Sequence, residues 1–168
     1  MPLLLQKGSA RGSFEVQGPS DDPADALRFK HSGRGMAIGD LDDDGDLDAV
    51  LVRLSNTPAL LINRIGDGKP SLTIRLEGRA PNLQAIGARV KVEFGGWSRW
   101  AFAAPHQSFL SSNDPRLHVG RAGLSKADRV TVYWPGGGED VVTGVEAGEL
   151  TIRQGHGRTG WRAHGRGW

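Results

Sequence analysis

The chain contains no cysteine in its 168 residues. Disulfides and thiolate metal centres are therefore excluded, the redox compartment is not readable, and oxygen ligands are what remain for any metal. Long apolar runs are also missing. None approaches the roughly 20 residues that a helix needs to cross a bilayer, so no membrane span is expected. The opening "MPLLLQKGSARGSF" has an apolar core too short for a secretory signal, so no signal peptide is visible. Tyrosine occurs once.

Glycine is abundant, with 25 residues, and 9 prolines punctuate short Val, Leu and Ile runs. This composition favours strands joined by tight turns over helices. The length suffices for one domain with a sizeable core, or for a small domain plus part of another. Formal net charge is +2 and the pI about 9.3, but the charges are segregated. Acid clusters at 40–48, whereas base gathers at the C-terminal end.

Along the chain, residues 1–32 include the loop-like "QGPSDDPADAL" and read as an irregular or partial segment. From Gly33 to Gly66 the order is strand, acidic loop, strand: "GMAIG", the aspartates, "DAVLVRL", then "PALLIN". Residues 71–153 show period-two alternation in "LTIRLEG", "ARVKVEFGG", "RVTVYWPGG" and "ELTIRQ", which predicts an antiparallel sandwich or barrel. Residues 154–168, "QGHGRTGWRAHGRGW", lack apolar periodicity and are expected to be a disordered basic tail.

The run "IGDLDDDGDLDAVLV" crowds six aspartates into nine residues, 40 to 48. Like charges this close oppose a compact loop unless a cation or water neutralises them. Counting Asp40 as position one, Asp40, Asp42, Asp44, Asp46 and Asp48 fill the odd positions and Gly45 stands at six. Alternate side chains of a loop wound round calcium point inward, and calcium takes six to eight oxygens. Asp40, Asp42, Asp44 and Asp48 are thus expected to offer carboxylates, Asp46 its backbone carbonyl, and Gly45 the sharp turn. Asp43, at an even position, is expected to face solvent. The helical calcium hand is disfavoured, because position twelve is Leu51, inside a strand-like run, and not glutamate. Magnesium fits less well, since it keeps its waters. A solvated acidic turn is the plain alternative.

"GRGMAIGDLDDDGDLDAVLV" resembles the FG-GAP (VCBS) repeat, a calcium-loop unit of β-propeller blades, over about residues 33–64. "NLQAIGARVKVEFGG", "SFLSSNDPRLHVGRAGLSKADRVTVYWPGG" and "VEAGELTI" are similar to the ASPIC/UnbV domain, over about 71–153. Together the resemblances imply an all-β chain: a calcium-binding propeller-type repeat joined to a β domain. They imply a Ca2+ cofactor in a structural role, a secreted or cell-surface location, and a non-enzymatic interaction module. A propeller takes several blades, and this chain carries clear residues for one.

Other clusters have simpler readings beside the functional ones. Ser108, Ser111, Ser112, Asp114 and His118 suggest a hydrolase set, but no nucleophile elbow is present and "SSNDP" suits a polar turn. His31, His106, His156 and His164 lack zinc spacing. Trp97, Trp100, Tyr133 and Trp134 could offer a protein or glycan partner an exposed β surface, or could be core. Trp97 and Trp100 are three apart and so face opposite sides of a strand. Arg153, Arg158, Arg162 and Arg166 with Trp161 and Trp168 could grip single-stranded nucleic acid, or could be solvated. An enzyme or accessory protein of a bacterial biosynthetic pathway is the rival from another class.

Overall fold

The computed structural model describes residues 5–8, 14–17, 32–64, 70–106, 111–121 and 123–164. Every regular element among them is a strand. Strands β1 (Leu5–Gly8) and β2 (Phe14–Gln17) pair antiparallel, so part of the expected irregular N-terminal segment is ordered as strand.

Strands β3 (Gly33–Gly39), β4 (Asp48–Arg53) and β5 (Ala59–Leu61) form a three-stranded antiparallel sheet in the order β3-β4-β5. The aspartate loop joins β3 to β4, with Gly39 opposite Asp48 at its base. The expected strand, acidic loop, strand order is therefore present.

The remaining strands build two four-stranded sheets. One follows the order β11-β10-β7-β8, from β7 (Arg89–Phe94), β8 (Trp97–Phe102), β10 (Lys126–Tyr133) and β11 (Glu139–Glu146). All its neighbours are antiparallel. The other follows β13-β12-β6-β9, from β6 (Ser71–Glu77), β9 (Leu117–Gly120), β12 (Gly148–Arg153) and β13 (Gly157–Arg162). Here the expectation of a purely antiparallel domain is corrected, because β12 runs parallel to β6. Alternation of apolar residues fixes which face is buried, not which direction a neighbour runs. Neither sheet closes into a barrel.

Both sheets turn apolar side chains into one core. Leu72, Ile74, Leu117, Val119, Leu150 and Ile152 meet Val90, Val92, Phe94, Val130, Val132 and Val145 across it. The alternation in "RVKVEF" predicts this burial residue by residue. Trp134, a candidate surface aromatic, is buried, and its Nε1 donates to Asp140 Oδ2 at 2.7 Å.

A second correction concerns the C-terminal end. Residues 157–162, expected to be disordered, form β13 and pair with β12 in antiparallel register, Leu150 opposite Trp161 and Glu149 opposite Arg162. An edge strand gains order from backbone bonding on one side alone, and that leaves no mark in side-chain periodicity. Arg166 and Trp168 lie outside the described residues, as do His31 and Ser108.

Candidate metal centre

The aspartate loop lies against the outer face of the β13-β12-β6-β9 sheet. Gly45 adopts φ of 95°, a conformation that glycine takes without strain. A Cβ there would stand 2.3 Å from Ser71 Oγ and 2.6 Å from the His164 ring. The position therefore requires glycine twice over, for the turn and for the close approach to β6. Asp43 also has a positive φ, 65°, which aspartate tolerates better than most residues.

Three of the five odd-position carboxylates converge. Asp40, Asp42 and Asp48 are each buried, and one oxygen from each lies within 4.8 Å of the others. Asp48 is the anchor: Oδ2 accepts the N–H of Leu41 at 2.9 Å and Oδ1 that of Asn63 at 2.8 Å. Asp40 Oδ2 accepts the N–H of Gly45 at 3.1 Å. Asp40 Oδ1 and Asp42 Oδ1 are buried with no hydrogen-bond partner among the described residues. Asp44 and Asp46 fall outside this trio. Asp44 Oδ1 instead accepts the N–H of Asp46 at 2.9 Å, tightening the turn.

Burial raises the carboxyl pKa of Asp40 above its ordinary value, against the lowering effect of the nearby Arg116 charge. Asp42 is raised too, by burial first and then by the charges of Asp44 and Asp48. Two acids whose charged forms burial disfavours, with orphaned oxygens among other carboxylates, fit a hard cation with oxygen ligands. Calcium suits this donor set, which holds no sulfur or nitrogen.

Asp43 is the residue that the sequence reading misplaced. It does not simply face solvent: its carboxylate pairs with Arg162, Nη2 donating at 2.9 Å and Nη1 closer, and with Arg116 Nη1 at 3.3 Å. The Arg162 hydrogen bonds hold its pKa below the usual range. Arg116 is the hub. Its guanidinium also reaches Asp114 Oδ2 at 2.6 Å, Glu149 Oε2 at 3.0 Å and the carbonyl of Asp40 at 3.1 Å. Buried Glu149 takes further hydrogen bonds from Arg75 and Arg162. Burial works against its charge, yet these three arginines bring its pKa down to about 2.

The polar turn 111–114 has a role that local turn chemistry did not suggest. Ser111 Oγ accepts the N–H of Met36, Asn113 Oδ1 accepts that of Ile38, and the N–H of Asp114 donates to the Ile38 carbonyl. The segment thus lines the open edge of β3 and ties the loop-bearing sheet to the sandwich. His118 sits nearby, its Nδ1 3.2 Å from Thr73 Oγ1 and its Nε2 3.5 Å from Asp114 Oδ2. Asp114 Oδ1 also accepts the N–H of Arg116, as expected of a short polar turn.

These observations define the protein as a two-sheet β-sandwich that carries an acidic-loop sheet docked on one face. Residues 78–159, from just after β6 into β13, match the family described as ASPIC and UnbV. No curated protein matches the chain.

Proposed function

We propose that the chain is a calcium-binding, non-enzymatic interaction module of the extracellular space or cell surface, in which the ion is structural. The observation that carries this reading is the buried convergence of Asp40, Asp42 and Asp48, with two oxygens lacking any hydrogen-bond partner among the described residues. The resemblance of "GDLDDDGDLD" to the FG-GAP calcium loop supports it, and so does the absence of cysteine. Location and repeat type rest on the resemblance. When bound, calcium supplies positive charge that offsets the mutual repulsion of these carboxylates.

This chain's own residues do the rest. Asp48 pins the start of the loop through Leu41 and ties the loop's base to the segment after β5 through Asn63, and Arg116 carries the loop across to the sandwich. A partner, protein or glycan, then has a held surface to meet. The outer face of the β11-β10-β7-β8 sheet offers one, where exposed Trp100 stacks on Tyr133 at 5.7 Å between ring centroids and Arg89 lies over the same tyrosine.

A thermal unfolding scan in chelator, then in millimolar calcium, then in magnesium, tests the proposal. A ligand that binds only the folded state adds stability, ~2.7 kcal/mol at a hundredfold excess over its dissociation constant. The expected result is a calcium-specific rise in midpoint that Asp42→Asn abolishes. An unchanged midpoint in calcium would contradict it.

A further inference from the structure

A cleft of about 620 Å³ opens where the aspartate loop meets the edge strand β9. Its apolar walls include Leu47, Pro70 and Val119, and its polar lining includes Ser71, His118 and Arg121. The volume is that of a small-molecule site.

Arg121 is the anomaly. It is fully buried, yet none of its three guanidinium nitrogens has a hydrogen-bond partner among the described residues. Ser71 Oγ, on the same cleft, is buried without one as well. Arg116 shows how this chain otherwise treats a buried guanidinium, surrounding it with Asp43, Asp114 and Glu149. A buried cation without an acceptor is strongly unfavourable, and a guanidinium cannot escape by giving up its proton. Burial does push Arg121's pKa down, with the charge of Glu146 as the offsetting influence, but Glu146 does not hydrogen-bond the guanidinium. An entering anion would supply the acceptor that no described residue supplies.

The anion's class follows from the neighbours. The guanidinium fork matches a planar carboxylate through two parallel hydrogen bonds. Asp46 lines the same cleft and Asp114 lies 3.5 Å behind His118 Nε2, so a dianion such as phosphate meets more repulsion than a singly charged group does. The walls of Leu47, Pro70 and Val119 suit a short hydrocarbon body.

We propose that this cleft binds a small aliphatic carboxylate, whose oxygens pair with Arg121 and Ser71 while its hydrocarbon part rests on Leu47, Pro70 and Val119. The cleft shares Gly45, Asp46 and Leu47 with the aspartate loop, while Arg121 and Ser71 stand outside the converging carboxylates.

Thermal unfolding of the full chain without added metal tests it, with sodium butyrate compared with acetate, chloride and phosphate at matched ionic strength. Butyrate should raise the midpoint most, and acetate less. Arg121→Leu should remove the butyrate response while raising the midpoint in chloride, since hydrocarbon replaces an unpaired charge. Ser71→Ala, a small change in the buried lining, should weaken the response and keeps the test alive if the leucine variant does not fold. No butyrate-specific rise in the unaltered chain would overturn the proposal. So would a full response in Arg121→Leu, a full response in Ser71→Ala, or a rise specific to phosphate.

Discussion

Asp43 illustrates what one residue's neighbours decide. Its position in the loop says only that it is even-numbered, and its partner Arg162 stands 119 residues away. No local pattern encodes that distance. Removing its charge by Asp43→Asn should cost about 0.2–1 kcal/mol, the range for partly exposed ion pairs. The increment gained from calcium should survive, because Asp43 lies outside the convergent trio. Parallel denaturant titrations of the two proteins, with and without calcium, check both halves of this expectation.

Glu149 carries the pH prediction. Its folded pKa of about 2 lies below the ordinary 4.5, so its contribution is complete above about pH 4.5. It is lost as pH falls towards 2, where the folded state too takes up the proton. Asp114 acts in the same direction: burial opposes its charge, but hydrogen bonds from His118 and Arg116 pull its pKa well below the carboxylate range. Stability should therefore fall steeply in acid below pH 4.5, and Glu149→Gln should flatten that fall when midpoints are plotted against pH. A slope unchanged by the substitution would remove Glu149 from the account. The sequence "AGELTI" gave no sign of this role, since a glutamate in an alternating run reads as a solvent-facing residue. It is buried with Arg75, Arg116 and Arg162 gathered around its carboxylate.

Among the elements, those with clean alternation were legible. β7 has its valines and Phe94 inward and its charged residues outward, as period two requires. β12 departs from alternation, with Gly148, Glu149 and Leu150 buried in succession. A parallel strand covered on both faces loses the polar side on which alternation depends. β13 was missed for the opposite reason: its Gly, Arg and Thr positions bury little, and backbone pairing holds it. Asp140 reinforces that corner, accepting from Trp134 Nε1 and from the N–H groups of Gly155 and Gly157. Asp140→Ala leaves the buried indole without its acceptor and unties the β12–β13 turn. A loss of about 1–3 kcal/mol is expected. Hydrogen exchange should show faster opening of 157–162 with little change in β7. Uniform loosening would contradict this assignment.

At the scale of the molecule, the acidic loop and the sandwich are joined through few residues, and Arg116 touches both. It bonds Asp43 and the Asp40 carbonyl on the loop side, and Asp114 and Glu149 on the other. Arg116→Ala strands those acids beside one another, a change that costs about 3–5 kcal/mol when a buried pair is broken. It should also weaken calcium binding although Arg116 is no ligand itself, because the loop loses its support at Asp40 and Asp43. The spacing of the loop's aspartates and the turn at Gly45 answer to local geometry, and the structure brings Asp40, Asp42 and Asp48 together while Asp44 and Asp46 stand outside that trio. The docking of the loop was not legible in the sequence, because Arg116, Glu149 and Arg162 come together only in the fold. The same limit hid the role of 111–114, whose polar residues looked sufficient to bond one another.

The central claim is that the converging carboxylates hold a calcium ion, and calorimetric titration of calcium into the metal-stripped chain tests it most directly. Saturable binding of one ion per chain, not reproduced by magnesium and lost in Asp42→Asn, is the predicted result. Absence of saturable heat, or identical titrations for the chain and its Asp42→Asn variant, would contradict it.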